Sequence, residues 1–472
     1  MHNTATQGRS WFAFNIFLPV LVFCLVLFPT VYRISCEPIE LWDEARHIGS
    51  SYEMLFRHDY IVNYWQNTQD YWNLKPTLSF LPIALSLKIF GKSLLAARLP
   101  SLLCFVVTLI SLYHALWRRF SGATGLYAVL VFSVWSQNVL IHSFRHADAD
   151  ALFCTLFLAC ILLCLHRTQR AFCLACGVAA LCFLSKSWHC LTLLPPLFLT
   201  YLLTKPSLTL LFKGSVSFSG PILLWAGLRV RQDGWRFLHD MVWYDLLKRS
   251  GQQIEGHHNP AFFYFSCFVH DYPALLWQML VLVGFALLAL LVKACRAPAF
   301  RSHIQHHFIA DIAVLGLAVC SVFGLFSAAQ TRLPWYTYPA YPLLCVLMAY
   351  GFAFIRPCFR IVAMGLAVLV FGATFPRTLQ RENAMQLPLF DHQLQAATYL
   401  PIQHIWKDGS TPQNEYAALL TYLPVFPTDI TVEGADTLAP RTLVIRPSSG
   451  AGLCTGCFVV SKGEQYDLLY RP

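Results

Sequence analysis

The chain has 472 residues, of which 57% are AVILMFWYC and only 12% are charged, against about 25% charged in an average soluble domain. A soluble fold is thereby excluded, and with Gly 24 and Pro 26 near average abundance, so are collagen-like and low-complexity chains. The net charge of +10 does not point to nucleic acid, because in a membrane chain Lys and Arg set orientation and mark sites.

A membrane-crossing helix needs roughly 20 mainly apolar residues. Eleven segments qualify: 11–32, 98–117, 121–142, 149–165, 171–185, 187–204, 212–229, 272–292, 309–330, 334–355 and 360–376. The first reads as a retained helix, since it is longer than a signal core, shows no small-residue cleavage site and is followed by further spans. Residues 76–91 are apolar but short and contain Pro76, Pro82 and Lys88, so they read as an interfacial helix. With that choice, twelve basic residues running from Arg9 to Arg360 fall on one side. The short loops opposite hold only Arg145, Lys186 and Arg332.

The positive-inside rule makes the crowded side cytoplasmic. The expected architecture is an α-helical polytopic protein of the plasma (inner) membrane, with its N-terminus inside and residues 33–97, 230–271 and 377–472 outside. Residues 1–376 form the transmembrane domain, with amphipathic helices in its outer loops. Residues 377–472 form a small extracytoplasmic α/β domain, in which Thr442–Ile445 and Cys457–Ser461 read as strands. No inverted repeat of the transporter kind is visible. Most of the 17 cysteines lie in apolar runs and read as small core residues. Cys454 and Cys457 form a lone CxxC, which favours a structural disulfide over a zinc half-site. His303, His306 and His307 read as a solvated cytoplasmic loop.

On this topology the unusual polar residues gather at one membrane face. Asp43, Glu44 and Arg46 follow the first span, and Lys75 closes the same outer loop. The run His142 to Asp150, HSFRHADAD, precedes the fourth span, and Lys186 lies between spans five and six. Glu255, His257 and His258 lie in the second large loop, and Arg332 and Tyr336 come just before span ten. Taken singly, most have a plainer reading. Asp148 suits a helix N-cap, Asp43 and Glu44 suit a helix N-terminus, and Arg145, Lys186 and Arg332 could snorkel to the interface. His257 and His258 suit an ordinary surface. Together they have a chemical logic: a partly desolvated carboxylate acts as general base or holds a divalent cation, and Lys and Arg beside it suit a phosphate. So many spans point to a phosphate ester with an apolar tail.

The order Trp42-Asp43-Glu44-Ala45-Arg46, Lys75-Pro76, Ala97-Arg98-Leu99-Pro100-Ser101, His142-x-x-Arg145 with Asp148-x-Asp150-Ala151-Leu152, Glu255-Gly256-His257 and Arg332-Leu333-Pro334-Trp335-Tyr336 resembles the GT-C glycosyltransferases. The similarity is to the branch of the aminoarabinose-to-lipid A transferases and the dolichyl-phosphate-mannose protein mannosyltransferases, over about residues 11–375. It implies a GT-C-like catalytic domain, a polyprenyl-phosphate sugar donor and inverting transfer on the extracytoplasmic face. By position, Asp43 matches the family's essential acid, Arg46 and Lys75 its phosphate-facing bases, Asp148 or Asp150 its second acid, and His257 the histidine of the second large loop. The chain departs from the aminoarabinose transferases at Leu74, where they carry an acidic residue that helps hold a metal. Either metal binding is weaker here or Glu44 and an Asp of the HADAD stretch supply the ligand, and no metal is assigned.

The resulting expectation is a glycosyltransferase in which Asp43, with Glu44 as understudy, activates or orients the acceptor. Arg46, Lys75 and Arg332 stabilise the departing lipid phosphate, and Arg145, Asp148, Asp150, Lys186, His257 and Tyr336 contact the substrates. The expected partners are the polyprenyl-phosphate sugar, a glycolipid (lipid A among the candidates), polymer or protein acceptor, and the bilayer. A polytopic transporter or flippase for a lipid-linked anion is the rival reading. It would place ionisable residues near mid-membrane in two related halves.

Overall fold

The computed structural model describes residues 3–135, 142, 144–252, 259–260, 262–271, 273, 276–284, 304–408, 411–431, 438–449 and 456–472. Helix α1 (Asn3–Val31) leads to α2 (Asp43–Arg57), a short β1–β2 hairpin (Tyr64–Trp65, Thr68–Gln69) and α3 (Leu81–Phe90). The bundle continues with α4 (Leu94–Arg119), α5 (Gly122–Val134), α6 (Ala149–Cys164), α7 (Gln169–Lys186), α8 (Leu194–Leu203) and α9 (Leu208–Asp233). After residues Arg236–Gly251, which include a π-helical stretch at Met241–Lys248, come α10 (Ile304–Ala328), α11 (Ala340–Phe354) and α12 (Pro357–Ala384). The helix starts follow capping chemistry: Ser93, Thr168 and Ser207 accept backbone amides at the heads of α4, α7 and α9, and Asp148 does so for α6.

The chain is a multi-pass membrane protein. Among the described residues six helical runs are long and apolar enough to cross a membrane: Phe17–Cys36, Leu94–Arg119, Gln169–Leu203, Leu208–Asp233, Phe308–Ala328 and Pro357–Ala384. The difference from eleven expected spans has three sources. The segments 171–185 and 187–204 are α7 and α8 joined by a 3-10 stretch, Ser187–Leu193, in one run. α5, α6 and α11 are shorter apolar helices, and an apolar window does not separate these from full spans. About half of the segment 272–292, including all of 285–292, falls outside the described residues. At 10 residues, α3 is about 15 Å long, half the hydrocarbon thickness. His303 lies outside the described residues, and His306 and His307 fall in the first turns of α10 rather than in a loop.

The membrane core is one apolar cluster running through α4, α5, α6, α7 and α11. At the end opposite the polar hairpins, the buried Asp311 of α10 takes Arg119, Arg167 (2.9 Å) and the Tyr350 hydroxyl (3.0 Å), tying four segments together.

The C-terminal part holds α13 (Leu389–Ala396), α14 (Gln413–Tyr422) and a five-stranded sheet of order β4-β3-β5-β7-β6, built from β3 (His404–Lys407), β4 (Ile430–Thr431), β5 (Thr442–Pro447), β6 (Phe458–Ser461) and β7 (Tyr466–Arg471). β3 pairs in parallel with β4 and β5, while β7 is antiparallel to β5 and β6. Helix α12 runs past residue 376 to Ala384. The sheet's buried residues Ile405, Leu443 and Leu468 share one core with Ile48 and Tyr52 of α2 and Ala97 of α4. Polar contacts seal the same seam: Tyr416 donates to Glu53 at 2.8 Å, and Lys92 to the Val425 carbonyl at 3.0 Å. This part of the chain therefore clamps α2, whose first residue is Asp43. Cys457 is disulfide-bonded, and Cys454 lies outside the described residues.

Candidate active site

The polar hairpins converge on a cavity of about 340 Å³ lined by residues from Glu40–Asp43, Trp72–Lys75, His142, Lys186–His189, Asp245, Arg249 and Leu333–Tyr336, a size suited to a small-molecule site. α2 begins at Asp43 because the preceding Trp42 sits at φ 71°, ψ −97°, a conformation a bulky residue adopts only when the surroundings enforce it, at roughly 1–3 kcal/mol. His142 (φ 55°) and Ser187 (φ 46°) also line the cavity with left-handed backbone.

Asp43 Oδ1 accepts from Lys75 Nζ at 2.6 Å, and its Oδ2 lies 3.6 Å from His142 Nδ1. Burial would raise its pKa, but the charges of Lys75, His142 and His47 outweigh that and hold it well below the ordinary carboxylate range. Asp43 is thus ionised at any working pH. The His142 ring stacks on Trp335 at 4.0 Å between centroids and places Nδ1 2.8 Å from Asp148 Oδ2 and 3.8 Å from Asp150 Oδ2. Asp150 is paired with Lys186, whose ammonium lies 5.7 Å from the Tyr336 ring. Of the expected residues, Asp43, Lys75, Asp148, Asp150, Lys186 and Tyr336 thus meet in or directly behind the cavity.

Four expected residues are engaged elsewhere. Glu44 is 1% exposed. Its oxygens accept Arg98 Nε (2.8 Å), Arg98 Nη2 (2.9 Å) and the amides of Ala147 and Glu40 (both 2.9 Å). With both oxygens filled, it holds the HADAD run to α2 and α4 and has no lone pair for a substrate. Its place one residue after Asp43 turns it about 100° round the helix. Arg46 pairs with Asp70 at 2.8 Å, and its guanidinium lies 4.8 Å from the Trp65 ring and 4.3 Å from the Trp72 ring; it backs the cavity wall and does not line it. Arg145, fully buried, bonds Glu37 at 3.0 Å, Glu382 at 2.6 Å and the carbonyls of Pro29, Thr30 and Tyr32 at 2.9 Å each. It ties α1 to α12. Arg332 donates to the carbonyls of Ser327 and Asn259, fixing its own loop. His257 lies outside the described residues.

The sequence reading did not single out His189, Asp245 or Arg249. Arg249 Nη1 donates to the Tyr336 hydroxyl at 3.2 Å, and its Nε lies 3.6 Å from Asp245. Asp245 also accepts from Ser187 at 2.9 Å. The available signal was an i,i+4 acid–base pair, Asp245 and Arg249, in the amphipathic run Met241–Arg249. A second, mainly apolar cavity of about 230 Å³ opens beside the first. It shares His189, Asp245, Arg249 and Tyr336 with it and continues along Trp188, Leu191, Leu246, Leu325 and Phe326.

For a divalent cation, one group among the described residues has suitable ligand types: His142, Asp148 and Asp150, with ligand atoms within 4.8 Å of one another. As arranged they do not fit one. His142 Nδ1 is engaged with Asp148, and the Lys186 ammonium occupies Asp150, so a metal would have to displace both. The residue before Lys75 is the buried, apolar Leu74.

The fold, with this charged cavity at one end of an apolar bundle, is that of a polytopic α-helical membrane protein and is GT-C-like, as the sequence motifs implied. More particularly, the comparisons bear out the resemblance to the aminoarabinosyl transferase and protein mannosyltransferase group. Residues 75–226 match the family described as dolichyl-phosphate-mannose-protein mannosyltransferase. The undecaprenyl phosphate-alpha-4-amino-4-deoxy-L-arabinose arabinosyl transferase of Edwardsiella ictaluri (strain 93-146) is 26% identical over 346 residues, and that of Photorhabdus laumondii 26% over 353. These alignments cover 69% and 71% of this chain and 58% of each relative; the chain spans less than two thirds of their length. In fold, the crystal structures of ArnT from Cupriavidus metallidurans match with TM-scores of 0.67 (bound to undecaprenyl phosphate) and 0.66 (apo). Each is 12% identical, and the matches cover 96% and 98% of this chain and 97% and 98% of those.

Proposed function

We propose that this protein is a membrane glycosyltransferase that moves a sugar from a polyprenyl-phosphate donor to a glycolipid, polymer or protein acceptor on the extracytoplasmic face of the plasma membrane. The observation that carries the reading is the Asp43–Lys75 pair, set at 2.6 Å in a cleft that continues into an apolar side cavity. A carboxylate for the acceptor, cations for a phosphate and an apolar channel for a lipid tail stand side by side.

In this reading the donor phosphate rests against Lys75, Arg249 and the Tyr336 hydroxyl, with its tail along the cavity of Trp188, Leu246 and Phe326. Asp43 accepts the proton of the acceptor hydroxyl as that oxygen bonds to the anomeric carbon. The bond from that carbon to the phosphate oxygen breaks, and its electron pair leaves with the phosphate. Because Lys75 and His142 make Asp43 a weak base, proton transfer comes late, and stabilisation of the departing phosphate by the fixed cations supplies most of the drive. Asp148, Asp150 and Lys186 hold His142 and the cleft floor. No step is routed through a metal. The relatives are named for undecaprenyl phosphate and 4-amino-4-deoxy-L-arabinose, which supports an undecaprenyl-type donor.

The test compares membrane lipids by mass spectrometry in cells with and without the protein. A lipid heavier by one sugar, present only with the protein and absent with Lys75→Ala, is the expected result. Identical lipid, polymer and protein glycosylation profiles in the two strains would refute it.

A further inference from the structure

Beside the cleft stands a stack with no part in the steps above. Arg46, fixed by Asp70, lies against Trp65 and Trp72, and Trp72 in turn stacks on Trp42 with centroids 5.4 Å apart and planes at 30°. Trp42 and Trp72 both line the cleft with Asp43 and Lys75, yet they are 54% and 37% exposed. Trp42 is held there by unfavourable backbone, and a half-buried cation, Arg46, backs the stack. A stack built this firmly and left open at its cleft end offers a rigid flat ring to a ligand.

Two residues that line the same cleft each carry a buried polar atom with no hydrogen bond. Asn73 is 4% exposed, and its Nδ2 has no hydrogen-bond partner. Glu40 Oε2 is likewise buried without a hydrogen bond and lies 3.9 Å from His146 Nε2. Buried polar groups in native proteins are nearly always satisfied, so a donor and an acceptor left open in one cleft await groups of opposite kind on a ligand. An indole face, negative at its centre, attracts the polarised C–H face of a pyranose. A carboxylate and an amide beside it suit the hydroxyl or amino substituents at the ring's edge.

We propose that Trp42, backed by Trp72 and Arg46, is the platform of a sugar-ring subsite, with Glu40 Oε2 accepting from and Asn73 Nδ2 donating to the substituents of a pyranose. Its place beside Asp43 and Lys75 as reacting groups rests on the function proposed above, and it deepens that reading by naming where the sugar is gripped. The ring held there belongs to the donor or to a glycan acceptor, and kinetics separates the two. Trp42→Ala raises KM for the donor alone in the first case and for the acceptor alone in the second, with kcat changed less than KM.

The deciding experiment reads binding without turnover. The full-length protein in nanodiscs is mixed with methyl arabinopyranoside, its 4-amino analogue or methyl glucosaminide, and saturation-transfer NMR is recorded. Wild type is expected to transfer saturation to the ring protons of at least one sugar. Trp42→Phe keeps the signal, and Trp42→Leu loses about tenfold in affinity, the scale of one aromatic contact. Glu40→Gln weakens the amino sugar more than the neutral one. If the indoles instead anchor the loop in the bilayer interface, Trp42→Leu binds like wild type, and that result overturns the proposal, as does a wild type that takes none of the three sugars. Sugar binding by a protein that transfers nothing would sink the proposed reaction while leaving the subsite standing.

Discussion

Asp43 and Glu44 are chain neighbours with opposite surroundings, and exchanging each for its amide separates chemistry from architecture. Asp43→Asn removes the charge that faces Lys75 at 2.6 Å and His142 at 3.6 Å but keeps the shape and the hydrogen-bonding oxygen. Turnover should fall at least roughly a hundredfold, the scale of a lost positioned base, equivalent to about 2.7 kcal/mol of barrier. The melting temperature should hold, because 24% of the Asp43 side chain is solvent-accessible and its partners open onto the cleft. Glu44→Gln puts an amide NH₂ against Arg98, whose side chain is fully buried and already bonded to three carbonyls. An uncompensated buried guanidinium costs roughly 3–5 kcal/mol, so this variant should melt several degrees lower and accumulate poorly, while its folded fraction still turns over. The assay is sugar transfer per folded molecule beside thermal melting in nanodiscs. An active Asp43→Asn, or a Glu44→Gln that melts like wild type yet is dead, would refute the division of roles.

Three further predictions follow the same geometry. Lys75→Ala should abolish transfer at unchanged protein level, and Lys75→Arg should restore only part, because a planar guanidinium cannot reproduce a point ammonium between Asp43 and a phosphate; transfer assays on the two variants decide this. A reporter fused after Met385, between α12 and α13, should be active only in an extracytoplasmic assay, as the distribution of Lys and Arg requires. Burial lifts the Glu40 carboxyl to about 7, against the pull of His146 and His142 and with the push of Glu44 and Asp148. Since its folded pKa exceeds the ordinary 4.5, the folded state binds the extra proton and loses stability as pH rises from about 4.5 through 7, by about 3 kcal/mol at most. Melting curves should show Glu40→Gln flattening that slope.

Much of the site was legible because charge is scarce in this chain. In an apolar sequence the acids and bases stand out, and the parity of the spans sends Asp43, Lys75, Asp148, Asp150, Lys186 and Tyr336 to one face, where the structure brings them together. The rotation of α2 was not legible. Asp43 and Glu44 differ by 100° on a helix, and which one meets the cleft depends on the sheet and α14 packing behind it. The same holds for the arginines. Nothing in the letters Arg46, Arg145 or Arg332 separates a phosphate ligand from a buried clamp on carbonyls; only the burial and partners of each do. Arg249 and Asp245 were hidden in an amphipathic run, and the π-helical turn that carries Asp245 to the cleft has no sequence signature. The fusion of the C-terminal sheet with α2 was equally unreadable, since alternating strand patterns show that a face is buried but not what covers it.

The central claim is that the Asp43–Lys75 cleft transfers a sugar from a lipid phosphate. The most direct measurement incubates the purified protein in nanodiscs with a radiolabelled undecaprenyl-phosphate sugar and extracted membrane lipids, then follows both products. The account predicts release of undecaprenyl phosphate in step with label appearing on an acceptor, and neither with Asp43→Asn. Donor left intact by folded wild-type protein, across lipid, glycan and protein acceptors, would contradict it.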